Sequence, residues 1–161
     1  MEYFARYSSP IGNLLLLSDG RALTGVQMDT GDARPGDADM VLTKAIAWLD
    51  AYFRGEDPEI DFPLAPKGTA FQRQVWDILL AIPKGQTRTY GDIAREMAAK
   101  LGREKMSAQA VGGAVGRNPI GIVIPCHRVV GAGNALTGYA WGLDRKLWLL
   151  RHEGWNGMGK P

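Results

Sequence analysis

Over the first part of the chain, hydrophobic positions occur in short runs, either continuous or alternating with polar positions, that end at Ser-Pro and Asp-Gly turn signals. Three runs have this pattern: 3–7, 11–18 and 22–28. Short apolar or alternating runs between turn residues are typical of antiparallel strands. After a polar loop at 29–39, apolar residues recur at helical spacing through 40–53, and Gly55 follows as a stop. This part of the sequence therefore predicts a small module of antiparallel strands and one helix.

Helical spacing dominates the rest of the chain. One core helix is predicted behind the capping-box sequence Thr69-Ala70-Phe71-Gln72. Two shorter helices follow at 90–99 and 108–115, with Gly102 between them, and this arrangement is typical of a helix-turn-helix. A final helix is predicted from 143 to about 152. Strands followed by helices predict an α+β fold.

Charge divides at the proline-rich stretch 62–66, where we place a boundary between two domains, 1–66 and 67–161. Residues 1–66 contain 5 Lys/Arg and 11 Asp/Glu, a net charge of −6. Residues 67–161 contain 14 and 6, a net charge of +8. The basic half indicates either a polyanionic partner, nucleic acid first, or a solvated basic face.

Composition narrows the function classes. The 161 residues are 45% hydrophobic and 22% charged, as in ordinary soluble globular proteins. A single Cys excludes an intrachain disulfide and a multi-cysteine zinc site. No run approaches the roughly 18 apolar residues of a membrane span, and the N-terminus does not resemble a signal peptide. We therefore expect a cytoplasmic protein that binds no membrane. No Gly-rich segment forms a phosphate loop, so no nucleotide cofactor is expected.

The candidate nucleophile is Cys126, at the end of an apolar run at 120–125 that is expected to form a strand. A lone cysteine is often no more than a small buried hydrophobe. Here His127 and Arg128 follow directly, and two neighbouring cations would favour the reactive thiolate.

A nucleophilic cysteine also needs an imidazole that a carboxylate holds in place. The chain has two candidates, His127 and His152, and Glu153 is the nearest acidic residue to the second. His152 has an alternative role as a favourable charge at a helix C-terminus. Neither the histidines and the cysteine nor the carboxylates have metal-ligand spacing, so no metal site is expected.

Four segments together resemble the signature of the O6-alkylguanine-DNA alkyltransferases, which are single-turnover DNA repair proteins. They are Asn118-Pro119, Ile124-Pro125-Cys126-His127-Arg128-Val129, Gly138-Tyr139 and Arg151-His152-Glu153-Gly154. The resemblance covers about 68–155 and is more general before that. It implies a small N-terminal antiparallel-sheet-plus-helix domain and a C-terminal helical domain of the winged-helix or helix-turn-helix type that binds DNA.

The resemblance also implies a reaction and a partner. An alkyl group, methyl above all, would pass irreversibly and stoichiometrically from O6-alkylguanine, and from O4-alkylthymine, to Cys126, with no cofactor. The partner would be double-stranded DNA, bound in the minor groove by a monomer, with the damaged base flipped out. Two other classes remain as alternatives: a module that binds alkylated DNA without repairing it, and a cysteine hydrolase that regenerates its thiol.

The roles of individual residues follow from the same resemblance. Cys126 would accept the alkyl group, His127 would activate it through a water, Glu153 would hold the imidazole, Tyr90 would donate a proton to the guanine ring, and Asn118 would brace the active-site turn. The residues implied in substrate and DNA binding are Ala108, Gln109, Gly112, Gly113, Arg128, Val129, Tyr139, Ala140 and Trp141.

Three features depart from the pattern of this family. Gln109 stands where an Arg commonly fills the space of the flipped base. Trp141 replaces the Gly of some members, so its ring either lines the pocket, which would disfavour bulky alkyl groups, or packs in the core. The segment 98–106 is a few residues longer than in some relatives.

The small residues of the helix at 108–115 either pack against another helix or approach a DNA groove.

Overall fold

A computed structural model of the chain describes residues 2–31 and 38–156. These residues form two compact units. The first contains the described residues up to Lys67 together with Pro119–Val123, and the second contains Gly68–Asn118 and the described residues from Ile124 onward. Sheet and helices are both present, so the predicted α+β class is confirmed. The polar loop predicted at 29–39 lies largely outside the described residues.

The first unit is a three-stranded antiparallel sheet with one helix packed against it. Its elements are β1 (Tyr3–Ser9), β2 (Gly12–Ser18), β3 (Leu23–Met28) and α1 (Met40–Phe53). The strands pair in the order β1-β2-β3, and α1 contacts all three. Asp39 is the N-cap of α1 and accepts from the Leu42 amide at 2.8 Å, which satisfies a free N–H of the first turn. These elements match the predicted ones closely.

The outer edge of β3 is covered by two segments that are distant in the sequence. Leu23 exchanges two backbone hydrogen bonds with residues 63–65, and Val26 exchanges two with residues 119–121. An uncovered strand edge exposes unpaired amides and carbonyls, so these bonds complete the sheet. They also explain why Pro119–Val123 belongs to the first unit.

The second unit is built on helices. These are α2 (Ala70–Leu80), α3 (Tyr90–Leu101), α4 (Ala108–Gly116) and α5 (Leu143–His152). The first three pack on one another, and the buried Trp76 of α2 donates from Nε1 to the Ala114 carbonyl of α4 at 2.9 Å. All four helices were predicted, and the helix-turn-helix pair is α3 and α4. None of the helices within 2–31 and 38–156 is long and apolar enough to cross a membrane.

A short parallel pairing positions the site. Strand β4 (Arg88–Thr89) pairs with β5 (Val129–Val130), and a 3-10 helix (Cys126–Arg128) directly precedes β5. The start of α3 directly follows β4. The pairing therefore brings the beginning of α3 next to the candidate nucleophile, although about forty residues separate them in the sequence.

The strand expected at 120–125 is not formed, and that prediction is wrong. Amide N–H groups in this run donate to carbonyls only two residues back, from Val123 to Gly121 at 2.7 Å and from Cys126 to Ile124 at 2.8 Å. Ile122, which lies between Gly121 and Val123, has a φ of 67°. A β-branched residue rarely adopts this left-handed conformation, and it costs on the order of 1–3 kcal/mol. The apolar run reflects burial, and tertiary contacts bend it into tight turns.

Candidate active site

Cys126 is the first residue of the 3-10 helix and is 7% exposed. Burial raises the pKa of its thiol, while the Asn118 side chain, the Lys146 ammonium and the Tyr139 hydroxyl act in the opposite direction without outweighing it. Asn118 also donates from Nδ2 to the Ile124 carbonyl at 2.8 Å, which ties the two ends of the bent segment together. The resting nucleophile is therefore the thiol, surrounded by groups that favour its ionised form.

The imidazole next to it is fully buried and held by a carboxylate. His127 Nε2 lies 2.6 Å from Glu153 Oε2, and neither side chain is accessible to solvent. Burial lowers the pKa of His127, with Arg128 and Lys146 adding to the effect and Glu153 opposing it. The neutral ring therefore donates its Nε2 proton to Glu153, an assignment that follows from the partner. Nδ1 is left as the basic nitrogen, buried and hydrogen-bonded to no described residue.

Glu153 is itself fixed by Arg128. The guanidinium donates from Nε to Oε1 at 2.8 Å and from Nη2 to Oε2 at 3.1 Å, and its Nη1 donates to the Ile82 carbonyl at 2.6 Å. Burial alone would raise the pKa of Glu153, but His127 and Arg128 outweigh it and hold that pKa well below its usual range. Glu153 therefore remains a carboxylate that anchors the imidazole.

One expectation about Cys126 and its neighbours is corrected by this geometry. The Arg128 guanidinium donates to Glu153 and to the Ile82 carbonyl, and the place of Arg128 among the substrate- and DNA-binding residues stays a prediction. His127 is neutral because its pKa is lowered. The expectation that both cations favour a resting thiolate is therefore wrong, since one carries no charge and the other is paired elsewhere.

The second histidine is not part of this cluster. The His152 ring stacks on Trp148, with 4.8 Å between the centroids and 17° between the planes. The two alternatives left open by the sequence are therefore resolved in favour of His127.

Lys146 is a site residue that sequence reasoning missed. Its side chain is fully buried, and Nζ donates to the carbonyls of Thr137 at 2.7 Å and Gly138 at 3.2 Å. Burial lowers the pKa of Lys146 to about 8, and its interaction with Cys126 opposes this. A buried ammonium that interacts with a thiol stabilises the thiolate.

The spacing of α5 carried a signal for this residue. Lys146, Leu149, Leu150 and Glu153 follow the helical repeat that places side chains on one face. All four are buried. A lysine within the apolar stripe of a helix, seven residues before a second ionisable residue, therefore marks a site.

Tyr90, the first residue of α3, is half-buried near the nucleophile. Burial and the proximity of Cys126 raise the pKa of Tyr90, while a hydrogen bond with the Thr137 side chain opposes the shift. The hydroxyl therefore keeps its proton at neutral pH. Thr137 joins Tyr90 to Lys146, since its backbone carbonyl accepts from that ammonium.

Five of the residues expected in the site line one open cavity of about 620 Å³, and they are Tyr90, Ala108, Gln109, Gly112 and Gly113. Helix α4 packs through Val111, Ala114 and Val115, which are buried, and leaves its small residues facing this cavity. A Cβ on Gly113 would meet nothing within 4 Å, and one on Gly112 would meet only the Tyr90 ring at 3.8 Å. The small face of α4 is therefore open to a ligand.

The remaining expected residues lie on both sides of the second 3-10 helix (Ala132–Asn134). Val129 is buried, and its amide donates to the Cys126 carbonyl. Tyr139 and Trp141 meet edge to face with centroids 5.9 Å apart, both are half-buried, and Ala140 between them is exposed. Trp141 thus packs on Tyr139 and not in the core. Within 2–31 and 38–156, no three His, Cys, Asp or Glu residues are grouped as they would be to hold a metal ion.

Known proteins match both parts of the chain. Residues 70–155 match the DNA binding domain of 6-O-methylguanine DNA methyltransferase, and residues 3–66 match its ribonuclease-like domain. The methylated-DNA–protein-cysteine methyltransferase of Methanosarcina acetivorans is 46% identical over 158 residues, which are 94% of this chain and 98% of that protein. That of Mycobacterium leprae is 45% identical over 150 residues, 90% of this chain and 88% of the relative.

Solved structures also match this chain over nearly its full length. The crystal structure of Mycobacterium tuberculosis O6-methylguanine methyltransferase matches with a TM-score of 0.81 and 42% identity, over 95% of this chain and 93% of that one. The Mycobacterium tuberculosis OGT in complex with DNA also matches with a TM-score of 0.81, at 43% identity over 94% and 92% of the two chains. Because both domain matches and these nearly full-length relatives agree, the chain belongs to the 6-O-methylguanine DNA methyltransferase family.

Proposed function

We propose that this protein repairs DNA by moving the alkyl group of O6-alkylguanine to its own Cys126. The Sγ–carbon bond forms as the carbon–O6 bond breaks, and the electron pair of that bond passes to O6 of the released guanine. The product is a thioether, which no group of the site can cleave, so each molecule acts once and needs no cofactor. The observation that carries the proposal is the buried Cys126 thiol beside the neutral imidazole of His127, whose Nε2 donates to Glu153.

The thiol proton must leave as the bond forms. We assign it to Nδ1 of His127, reached through a bound water, because Nε2 is already committed to Glu153. The imidazolium that results is paired with the Glu153 carboxylate. The buried Lys146 ammonium stabilises the thiolate, in a site where a low dielectric strengthens each interaction.

The leaving guanine needs a proton and hydrogen bonds. Tyr90 supplies the proton to the ring, because its raised pKa keeps the hydroxyl protonated at neutral pH. The backbone amides near Tyr139 and Ala140 face O6 and stabilise the developing charge. The carbonyls of Cys126 and Val129 accept from the exocyclic amine, the former through the lone pair that the Val129 amide leaves free.

An alkyl group on O6 lies inside the base stack, so the nucleotide must be flipped out of double-stranded DNA. We place α4 in the minor groove, where Ala108, Gly112 and Gly113 let the DNA come close and Gln109 hydrogen-bonds the orphaned base. The OGT–DNA complex supports DNA as the partner. A monomer suffices for the reaction, and it acts through the domain at 67–161. The Trp141 ring narrows the pocket and so favours methyl over bulky alkyl groups. O4-alkylthymine is a further substrate, because it presents the same kind of alkyl–oxygen bond to Cys126.

Intact mass tests the proposal. The protein is incubated with a duplex that carries one O6-methylguanine, and a parallel sample with Cys126→Ser. We expect a gain of one methyl per molecule on the peptide that contains Cys126, and none in the variant. Tight binding without mass gain would instead assign the protein to the non-repairing binding modules. Conversion of many lesions per molecule would indicate a turnover enzyme.

A further inference from the structure

A second cavity lies beside the connection between α3 and α4. It has a volume of about 450 Å³, and small residues of the two helices form much of its wall. Four charged side chains line it: Arg95, Arg103, Glu104 and Lys105. A groove with a close backbone and exposed cations fits a phosphodiester chain.

The charges of this groove are unequally compensated. Arg95 is paired with Asp92 on α3. Arg103 and Lys105 are exposed, and neither forms an ion pair with any residue within 2–31 and 38–156. Glu104 lies between them and is the one anion among the lining residues. Two cations are therefore free to bind an external anion.

The connection is held at both ends. Gly102 adopts the left-handed conformation that ends α3, with a φ of 67°, and the next amide, that of Arg103, donates to the Ala98 carbonyl at 2.8 Å. Ser107 caps α4 by accepting from the Ala110 amide at 3.1 Å. Arg103 and Lys105 are thus presented from a short segment whose ends are fixed, which lowers the entropic cost of binding.

This groove adjoins the cavity of the proposed DNA site. Ala108 lines both cavities, and Gly91, which lines the groove, follows Tyr90, which lines the other. A helix in the minor groove is flanked by the phosphates of both strands. The groove therefore lies where a flanking phosphate chain would run.

We propose that Arg103 and Lys105 bind phosphates of the duplex beside the flipped nucleotide, so that the connection between α3 and α4 extends the DNA contact. This inference rests on the proposed function, because it takes duplex DNA to be the partner. The contacts carry no sequence information, and they add affinity and register.

The salt dependence of binding to an undamaged duplex tests it. Each phosphate contact contributes about 0.9 to the slope of log K against log salt concentration. We expect the slope to fall by about 0.9 in Arg103→Gln and in Lys105→Gln, and by about 1.8 in the double variant. The control is Arg21→Gln with Lys44→Gln, two exposed residues of the first unit, which makes the same change in net charge. Its slope should equal that of the parent.

Glu104→Gln should have the opposite effect on affinity. It removes an anion from the groove, so binding to the duplex should strengthen. Unchanged slopes in folded variants would overturn the inference. The parent is tested separately for methylation of Cys126 by a duplex that carries one O6-methylguanine. A parent that methylates Cys126, with unchanged slopes in the variants, therefore contradicts only the phosphate contacts. A parent that fails to methylate contradicts the proposed function itself.

Discussion

The Cys126 thiol is buried, and burial by itself makes the thiolate costly to form. Its neighbour His127 is neutral, and Arg128 is bound to Glu153. The charge that favours the thiolate is that of Lys146, which is twenty residues further along the chain. At the scale of single residues, the reactivity of this cysteine therefore depends on a distant lysine, and on a histidine that accepts the proton during reaction.

Lys146→Met keeps the length of the side chain and removes its charge. Alkylation of Cys126 by iodoacetamide should slow by roughly tenfold at pH 7. The thiolate is the reacting form, and losing about 1.4 kcal/mol of thiolate stabilisation lowers its population about tenfold. The pKa of Lys146 is about 8. The parent is charged below that pH and loses its advantage as pH rises through it, so the two rates should converge in alkaline buffer.

This measurement needs no DNA, so it reports on the thiol alone. Lys146→Arg, which retains a cation, is the matched control, and circular dichroism verifies that both variants are folded. Identical pH profiles for the parent and Lys146→Met would mean that the ammonium does not act on Cys126.

Tyr90→Phe removes the proposed proton donor and keeps the ring that lines the α4 cavity. General acid catalysis contributes about 10²–10⁴-fold, so we expect the single-turnover rate of methyl transfer to fall by about 10²-fold. The affinity for the lesion duplex should change little, because the ring remains. Tyr3→Phe in the first unit is the control. Equal losses of rate and affinity would assign Tyr90 to binding only.

At the scale of elements, α4 has two faces with different tasks. Val111, Ala114 and Val115 pack it into the second unit, and Gly113 leaves the opposite backbone bare. Glycine within a helix costs about 0.5–1 kcal/mol relative to alanine. The helix therefore gives up stability on the face that opens to the cavity, which fits a surface that must approach DNA closely.

Gly113→Ala should consequently raise the free energy of unfolding by about 0.5–1 kcal/mol and weaken binding to duplex DNA. Gly116→Ala is the matched control: its Cβ also meets nothing within 4 Å, and it does not line the cavity. Urea unfolding and duplex titration of both variants separate the two effects. Equal affinities for DNA would show that the small face of α4 is not a close contact.

At the scale of the whole molecule, a few buried charges make the free energy of unfolding depend on pH. Glu153 is a buried carboxylate that binds both His127 and Arg128, and its pKa is held well below the usual range. An unfolded chain binds a proton at Glu153 near pH 4.5, while the folded chain does not. The carboxylate therefore stabilises the fold above that pH, and the contribution is lost as pH falls below it.

Glu153→Gln should destabilise the protein by about 3–5 kcal/mol near pH 7, the usual cost of breaking a buried ion pair. The difference between parent and variant should shrink as pH falls below 4.5. Urea unfolding at several pH values measures it, with the exposed Glu59→Gln as control. A difference that grows in acid would contradict this assignment of charge.

The order of elements and the candidate nucleophile are determined by the sequence itself. The short apolar runs of the strands, the capping box at Thr69 and the helical repeat of α5 are local signals, and each depends on neighbouring residues alone. The group Pro125-Cys126-His127-Arg128 indicates chemistry for a similar reason, since its members adjoin one another. The family resemblance adds partners that the spacing could not choose, such as Glu153 for His127.

Only the tertiary structure decided where protons and charges lie. Burial lowers the pKa of His127, Arg128 donates to Glu153, and the charge of Lys146 interacts with Cys126. These effects depend on contacts between residues far apart in the sequence. The bent run at 120–125 has the same origin, because β-branched residues report burial and not backbone direction. Desolvation and long-range Coulomb interactions exist only once the chain has folded, so no local pattern encodes them.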